Sequence, residues 1–373
     1  MTAFEKTSIP MPFALSRLEV MDYQGIKHLT IENLPLDKQW IFLTGENGFG
    51  KTSILKAIAK GLVGDEESMD WLPKQSKIWV QGNHSNQFFN SEATPKNTPL
   101  LDFPIATYGA ARFRISNIDP ISFAQSKYIK KTYSLFNDDG LLLNIERVLV
   151  DAERDDLNTF NGFKSILLKI IPNLADLKSE VLNKVRRIRY YEKSETGEIY
   201  APVFLSELAA GYRSILTMIG DMMKRLADYP NNSLENLQGI VLIDEFDAHL
   251  HPKYQYELPK LLSEAFPKVQ FIAATHSPIP LLGVPTDTAL VLTVHRNKTN
   301  GITVERFDDD IDLRHLSANA LLTSDIFSFK SIFARGATPD TIIPFNDYQE
   351  VAESEKLALL RKKMNDLKLK PFR

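Results

Sequence analysis

The sequence GENGFGKTS occupies residues 45–53 and directly follows the apolar run WIFLT at residues 40–44. This pattern is typical of a phosphate-binding loop, in which glycines let backbone N–H groups close around phosphate oxygens. A lysine in the loop adds a positive charge beside the β- and γ-phosphates. Apolar residues at helical spacing follow, so the predicted order is strand, glycine loop, helix. The alternative is a glycine turn that caps an ordinary helix.

The loop therefore predicts an α/β fold of the P-loop NTPase type, with ATP and Mg²⁺ as cofactors. Thr52 would place its hydroxyl on the Mg²⁺ ion. The residues expected to bind the nucleotide are Gly45, Asn47, Gly48, Gly50, Lys51, Thr52 and Ser53.

Two acidic residues end a second apolar run, IVLI at residues 240–243. Such a run is typical of a strand buried on both faces of a parallel sheet, and ligands bind at the carboxyl ends of these strands. We expect Asp244 to hold Mg²⁺ through water, and Glu245 to act as the general base that polarises the attacking water. The alternative is a solvated acidic turn after a strand.

A histidine follows a third predicted strand, in the sequence FIAATHSP at residues 271–278. At the same sheet edge, His276 could hydrogen-bond the γ-phosphate and the attacking water. A lone histidine after a strand is more often a structural residue, but its place after the carboxylate strand favours a catalytic role. The predicted catalytic residues are therefore Glu245 and His276.

The composition limits the class of protein. The 373 residues include no cysteine, which excludes disulfides, cysteine-ligated zinc, iron–sulfur clusters and thiol catalysis. The net charge is −3, so the chain does not have the excess of basic residues that an obligate nucleic-acid coat protein carries. Any DNA contact would therefore be local. The N-terminus lacks a signal-peptide pattern, and no window is apolar enough to span a membrane. We expect a cytoplasmic protein without a membrane partner.

Changes in pattern along the chain predict four segments. Residues 1–115 form the N-terminal part of an ATPase head with the glycine loop, and residues 116–184 form a helical insertion. Residues 185–335 form the C-terminal part of the head, with the carboxylate strand and the histidine. Residues 336–373 form a basic tail that could dock a partner as a helix, the alternative being a solvated helix with a frayed end.

Local patterns refine this division. Residues 82–100 are polar and rich in Asn, Ser, Thr and Pro, which predicts a surface loop. Residues 140–183 carry apolar positions at helical spacing. Further along, the sequence predicts two strands within residues 185–203 turning at 195–197, a helix over residues 212–226, and a hairpin turning at residues 299–301.

The three motifs, in this order and with the form GxNGxGKT, resemble the ABC-type ATPase heads of the SMC, RecF and OLD (overcoming lysogenization defect) group. The run DEFDAHLHP at residues 244–252, followed by FPKVQFIAATHSP at 266–278, is similar to the AAA-family ATPases of anti-phage defence systems. These include Septu PtuA-like and retron-associated ATPases and OLD-like proteins without a Toprim domain. The resemblance covers residues 13–335 and implies an ABC-ATPase fold with a mixed central sheet and flanking helices.

The resemblance also implies a homodimer or higher oligomer, with ATP between the glycine loop of one subunit and a signature sequence of the other. The segment LAAGYRS at residues 208–214 resembles the L-S-D-G-Y-R-S form of this group. Ala209 stands where the family has a serine, so one hydrogen bond to the γ-phosphate of the other subunit is missing. The residues implied to face that phosphate are Leu208, Ala209, Gly211, Arg213 and Ser214.

Two other clusters allow different interpretations. Asp247, His249 and His251 could form a metal site, although a turn after the catalytic strand is favoured. The acidic run at residues 308–312 could belong to a Toprim nuclease, but the length that follows His276 favours a solvated loop.

An ATPase site without recognisable effector chemistry suggests a regulator. We expect an ATPase that dimerises around ATP and regulates a separately encoded effector, in the leading hypothesis a nuclease of a bacterial anti-phage defence system. One alternative is a RecF-like DNA-repair ATPase that acts as an ATP-dependent DNA clamp. Another is a nucleotide-held scaffold with little turnover, for which Ala209 is the reason.

Overall fold

A computed structural model gives the fold of most of the chain. Internal contacts divide the chain into residues 1–328 and 329–373, and the second unit lies outside the described residues. The acidic run at residues 308–312 and the tail predicted over residues 336–373 also lie outside them. The described residues are 9–63, 73, 75–95, 102–110, 131–137, 141–307, 318–324 and 326–327.

The described part of the chain contains twelve strands and eight α-helices. The strands are β1 (Ala14–Tyr23), β2 (Ile26–Ile31), β3 (Trp40–Thr44), β4 (Lys77–His84), β5 (Gln87–Ala93), β6 (Ile105–Tyr108), β7 (Leu174–Leu182), β8 (Val185–Glu192), β9 (Gln238–Ile243), β10 (Lys268–Ala274), β11 (Ala289–Asn297) and β12 (Gly301–Arg306). The helices are α1 (Lys51–Val63), α2 (Tyr133–Phe136), α3 (Ile145–Asp155), α4 (Leu157–Ile170), α5 (Ala210–Ala227), α6 (Pro252–Ala265), α7 (Ile279–Gly283) and α8 (Ala318–Thr323).

Ten of these strands form one mixed sheet in the order β5-β4-β1-β2-β12-β11-β3-β10-β9-β6. One half of the sheet is parallel, because the neighbouring strands β11, β3, β10, β9 and β6 all run in the same direction. Every residue of β3 is buried, and β9 and β10 are buried apart from their first residues. Continuous apolar runs form such strands because both faces of the sheet are covered. The predicted α/β fold with a mixed central sheet is confirmed.

The side chains of β3 alternate between two hydrophobic cores. Trp40 and Phe42 belong to a core that includes residues of α3, α4, α5 and α6, and Trp40 stacks on Phe271 with ring centroids 4.5 Å apart. Ile41 and Leu43 belong to the other core, which includes the buried face of α1. The predicted helix over residues 212–226 is confirmed by α5, whose residues in the first core include Ile215, Leu216, Ile219, Met222, Met223 and Leu226.

The other half of the sheet is antiparallel and includes a strand that the sequence pattern does not reveal. The sequence predicts a surface loop over residues 82–100, but β5 pairs with β4 across a turn at Ser85 and Asn86, which have φ of 53° and 63°. β5 exposes most of its side chains and buries only Ser91 and Ala93. The loop prediction was wrong because a polar edge strand lacks the apolar alternation that marks a half-buried one.

The predicted helical insertion is helical in its central part and then changes to a β-hairpin. α3 and α4 follow the predicted helical spacing as far as Ile170. Beyond Pro172, residues expected to stay helical form β7, which pairs with β8 in a separate two-stranded sheet. The expected boundary at residue 184 falls in the turn of this hairpin, where Asn183 and Lys184 have φ of 50° and 65°.

Two predicted turns are confirmed. A turn at residues 195–197 follows β8 and is closed by an isolated antiparallel bridge between Lys193 and Ile199. The second strand predicted within residues 185–203 does not form, because β8 pairs with β7 and the residues after the turn make only isolated bridges. The turn near residue 300 joins β11 to β12, and Gly301 there has φ of 74°.

Candidate nucleotide-binding site

The carboxyl ends of β3, β9 and β10 lie side by side at one edge of the parallel sheet. β3 leads into the loop at residues 45–53, β9 into residues 244–245 and β10 into residues 275–276. Pairing continues past the strand ends, since the N–H of Thr275 donates to the carbonyl of Leu43 at 3.0 Å. The fold therefore brings the three predicted motifs together.

The loop at residues 45–53 has the backbone of a phosphate cradle. Gly45 and Gly50 have φ of 131° and 105°, in the region that favours glycine. Asn47 is exposed at the apex of the loop. α1 begins at Lys51, so the free N–H groups of its first turn and the positive end of its dipole lie at the loop. This geometry suits an anion.

Ser53, which the sequence predicts to bind nucleotide, makes a contact with a neighbouring turn. Its hydroxyl donates to the carbonyl of Gln24 at 3.2 Å, in the turn between β1 and β2. Ser53 therefore holds the first turn of α1 against that turn.

Lys51 is folded onto its own loop. Its Nζ donates to the carbonyl oxygens of Gly45 at 2.7 Å and Glu46 at 3.0 Å, and lies 3.3 Å from Nδ1 of His276. Because an ammonium group can only donate, Nδ1 of His276 accepts, and the proton of the neutral ring is then on Nε2. Burial lowers the pKa of Lys51 to about 8, against the attraction of the three acidic residues nearby. The lysine is thus a largely buried cation that is held by two backbone carbonyl oxygens of its own loop.

Thr52 and Asp244 form the candidate metal site. The hydroxyl of Thr52 donates to Oδ2 of Asp244 at 2.6 Å, and Asp244 is 5% exposed. A hydroxyl and a carboxylate are the hard oxygen ligands that Mg²⁺ prefers, and Mg²⁺ is commonly held by one or two carboxylates together with water and substrate phosphates. The two side chains present therefore fit such an ion beside the loop.

Glu245 lies at the open end of the site. Its side chain is exposed, and its N–H donates to Oδ1 of Asp244 at 3.2 Å. Its φ of 47° is rare for a residue with a side chain, and strain of about 1–3 kcal/mol at such a position is typical of functional sites. An exposed carboxylate next to the buried Asp244 is accessible to both water and nucleotide.

Asp247 joins the loop after β9 to the loop after β10. Its Oδ1 accepts hydrogen bonds from the hydroxyl of Thr275 at 2.5 Å and from the backbone N–H of His276 at 3.1 Å. One carboxylate thereby fixes the backbone that carries His276. The sequence pattern indicated a turn or a metal cluster for Asp247 and did not reveal this role, although a hydroxyl residue, Thr275, directly before His276 is a signal for it.

Opposing effects act on the pKa of His276. Partial burial lowers its pKa, and the Lys51 ammonium lowers it further, whereas Asp247 and Glu245 act in the opposite direction. The net effect is a pKa below the usual value for histidine, which keeps the ring neutral at pH 7. A neutral ring with Nε2–H can donate a hydrogen bond to a phosphate oxygen.

The alternative metal cluster finds no support in the contacts of its members. His251 is the N-cap of α6, and its Nδ1 accepts from the N–H of Lys253 at 3.3 Å. Asp247 is engaged with Thr275 and His276, as described above. Within the ranges that the structure describes, no group of three His, Asp or Glu side chains has the arrangement of a metal site.

The signature-like segment at residues 208–214 leads into α5 and faces the loop after β9. Ala209 is the N-cap of α5 and makes no side-chain capping bond, while Gly211 packs so that an added Cβ would lie 3.2 Å from the carbonyl of His249. Arg213 donates to the carbonyl of Ser206 at 3.0 Å.

Two residues of this segment are turned into the interior. Leu208 and Ser214 are 5% and 6% exposed. Among the described residues, no hydrogen bond joins the segment to the loop at residues 45–53 of the same chain. The exposed members of the segment are Ala209 and Ala210, at the start of α5.

A buried polar cluster ties α5 to the edge of the sheet. Asp221 is fully buried and accepts hydrogen bonds from Nε of Arg225 at 2.6 Å, the hydroxyl of Tyr108 at 2.8 Å and the N–H of Leu143 at 2.9 Å. Burial raises the pKa of Tyr108 well above its usual value, so the phenol stays protonated and donates. The carbonyl of Tyr108 accepts from the N–H of Asp244 at 2.8 Å, which links α5 to the candidate metal site.

No helix in the described ranges is both long enough and apolar enough to cross a membrane.

Comparison with known proteins gives a family match. Residues 80–279 match the family described as "AAA domain, putative AbiEii toxin, Type IV TA system". This range covers more than half of the 373 residues and includes the carboxylate strand and the histidine.

Individual relatives and solved structures add to this match. The chain is 31% identical over 342 residues to the Septu protein PtuA of Bacillus mycoides (strain KBAB4), covering 84% of this chain and 44% of that protein. It is 39% identical over 93 residues to the "Retron Vc95 probable ATPase" of Vibrio cholerae serotype O1 biovar El Tor, covering 24% of this chain and 18% of that protein. A solved SMC head bound to the C-winged helix domain of ScpA aligns with a TM-score of 0.47 and 15% identity, covering 80% of this chain and 98% of the other. The chain thus spans less than half the length of these two curated relatives.

Proposed function

Since the chain belongs to the AAA-domain family described as putative AbiEii toxin of type IV TA systems, we propose that it binds ATP at residues 45–53 and hydrolyses it. The proposal rests on one observation: residues 45–53, 244–245 and 275–276 are far apart in the sequence but lie together at one edge of the sheet. There Nζ of Lys51 lies 3.3 Å from Nδ1 of His276, and the hydroxyl oxygen of Thr52 lies 2.6 Å from Oδ2 of Asp244. A cation, a hydroxyl–carboxylate pair and a neutral imidazole around a helix N-terminus form a set suited to a nucleoside triphosphate.

In the proposed reaction, the backbone N–H groups of the loop and Lys51 hold the β- and γ-phosphates. Glu245 accepts a proton from a water molecule as its oxygen attacks the γ-phosphorus. The bond between that phosphorus and the bridging oxygen breaks, and the products are ADP and inorganic phosphate. His276 donates through Nε2–H to a γ-phosphate oxygen and so stabilises the charge that spreads over this group in the transition state.

The Mg²⁺ that accompanies ATP would be held by Thr52 directly and by Asp244 through water. When bound, such an ion would neutralise part of the charge of the phosphates. The 2.6 Å hydrogen bond between the hydroxyl of Thr52 and the buried carboxylate of Asp244 supports this proposal, because it keeps the two groups adjacent.

The assembly belongs to the same proposal. We infer that two copies enclose ATP, with residues 208–214 of one facing residues 45–53 of the other, and that the assembly regulates a separately encoded effector, a nuclease in an anti-phage defence system. The family, the relative named Septu protein PtuA and the exposed start of α5 support this inference. Light scattering of Glu245→Gln at saturating ATP and Mg²⁺ tests it, since a monomer there would contradict the enclosed nucleotide.

A second candidate is an ATP-held scaffold with little turnover, and a specific observation favours it. Ala209 lacks the side-chain oxygen that the family serine would offer to the phosphate of the other subunit, and α5 begins without a side-chain cap. Steady-state phosphate release separates the two candidates.

The nucleotide site itself is tested by ATP titration of Lys51→Ala. We expect binding to be lost, because the variant removes the cation proposed to hold the β- and γ-phosphates. Lys298→Ala, an exposed lysine in the β11–β12 turn, serves as the matched control and should bind like the wild type. Unchanged affinity in Lys51→Ala would refute the assignment.

A further inference from the structure

The hairpin formed by β11 and β12 packs under the loop at residues 45–53. A Cβ added to Gly45 would lie 2.4 Å from the carbonyl oxygen of Val294, and one added to Gly50 would lie 2.3 Å from Cδ1 of Ile302. These distances are shorter than real Cβ contacts, so the two ends of the loop are in direct contact with the hairpin. Both ends of the loop therefore pack directly against the hairpin.

The apex of the loop, at Gly48, does not pack against the hairpin in this way. A Cβ added to Gly48 would meet nothing within 4 Å. At this point the hairpin contributes a different contact, because Nη1 of Arg296 donates to the carbonyl of Gly48 at 3.0 Å. Arg296 is exposed, and its Nη2 lies 3.9 Å from the Cβ position of Gly25 in the turn between β1 and β2. The guanidinium thus lies where three segments of the chain meet.

We propose that Arg296 is a positioning residue for the nucleotide, which holds the apex of the glycine loop in its phosphate-receiving conformation. This inference rests on the proposed ATP site. A carbonyl held by a guanidinium fixes the peptide plane at Gly48, and an apex that is already ordered loses less conformational freedom when the phosphates bind. A hydrogen bond from a permanently charged donor is also stronger than a neutral one.

The test separates positioning from stability and from direct phosphate contact. In Arg296→Gln, we expect KM for ATP to rise about five- to tenfold while kcat stays within about twofold of the wild-type value. The reason is that the variant weakens binding of the ground state and of the transition state equally. The dissociation constant for ADP should rise by the same factor as that for ATP, since the apex receives the phosphates common to both. Arg296→Lys should recover part of the affinity, because its ammonium can donate to the same carbonyl.

The matched control is Arg306→Gln on the same hairpin. Arg306 also donates to a backbone carbonyl, that of Asn33 at 3.4 Å, but away from the glycine loop. We expect its KM for ATP to equal the wild-type value. If Arg306→Gln raises KM as much as Arg296→Gln does, the effect is a general loss of hairpin stability and the proposal fails.

Two further results would overturn the proposal. Wild-type affinity in Arg296→Gln would mean that the apex needs no such contact. A loss for ATP that far exceeds the loss for ADP would place Arg296 on the γ-phosphate instead. Lys51→Ala shows whether the ATP site itself is wrongly assigned. If that variant binds ATP normally, the ATP site fails; if it does not bind ATP, only the role of Arg296 fails.

Discussion

The hydroxyl of Thr52 lies 2.6 Å from a carboxylate oxygen of Asp244, although the two residues are 192 positions apart in the chain. Parallel pairing of β10 with both β3 and β9 sets this distance, because it aligns the ends of the strands that carry the two side chains. A hydroxyl and a carboxylate held together in this way are oxygen ligands that would fit an Mg²⁺ ion bound together with ATP.

Removing the hydroxyl should separate Mg²⁺-dependent chemistry from nucleotide binding. In Thr52→Ala, we expect turnover at saturating ATP and Mg²⁺ to fall about 100-fold or more, because the ion loses a direct ligand. ATP binding without Mg²⁺ should change little. Phosphate release and ATP titration with and without Mg²⁺ measure the two effects. Thr30→Ala, at an exposed position on β2, is the control, and an equal loss there would contradict a specific role for Thr52.

Asp247 should control turnover without touching the nucleotide. It fixes the backbone of His276 through two hydrogen bonds on one oxygen, so we expect Asp247→Ala to lower kcat about 10- to 100-fold. The charge of Asp247 raises the pKa of His276, so the variant should also shift the His276 titration to lower pH. Kinetics together with NMR titration of His276 test both effects. An unchanged histidine pKa would show that the two side chains are not coupled, and Asp155→Ala provides the exposed comparison.

The affinity for ATP should fall with rising pH, because of Lys51. Burial lowers the pKa of this lysine to about 8 in the free protein, and only the ammonium form attracts phosphate. Affinity should therefore be close to its maximum at pH 7, fall to about half near pH 8, and fall by up to about tenfold for each pH unit above that. Dissociation constants for ATP between pH 7 and 9.5 measure this dependence. A constant affinity up to pH 9.5 would mean that Lys51 remains charged throughout.

A serine at position 209 should act in two ways. Ala209 is the N-cap of α5 without a side-chain hydrogen bond, so Ala209→Ser should raise the free energy of unfolding by about 1 kcal/mol. If this residue also faces the nucleotide of a second subunit, turnover should rise as well. Denaturant unfolding measures the first effect, and phosphate release over a range of protein concentrations measures the second. Higher stability with unchanged turnover at every concentration would confine position 209 to helix capping.

The parts of the fold that the sequence predicted are those with strong local patterns. Buried parallel strands require continuous apolar runs, and residues 240–243 and 271–274 show them clearly. The polar residues after these runs then had to lie at one sheet edge, which is why Asp244 and His276 could be expected near the loop.

The features that the sequence did not predict depend on contacts between distant segments. β5 is a polar edge strand, and its place in the sheet comes from pairing with β4 rather than from its own pattern. β7 follows two helices directly and needs β8 as a partner. The roles of Asp247 and Arg296 arise from backbone groups of other loops, which no spacing in the sequence reveals.

Steady-state phosphate release by the wild-type protein and by Glu245→Gln, with ATP binding measured alongside, tests the proposed function most directly. We expect the wild type to release phosphate, and the variant to bind ATP with similar affinity but release phosphate about 10²–10⁴ times more slowly, because the amide cannot accept the proton of water. Glu198→Gln, at an exposed turn, should behave like the wild type. Equal turnover in Glu245→Gln and wild type would contradict the assignment of Glu245 as the general base, and no turnover in either would favour the ATP-held scaffold.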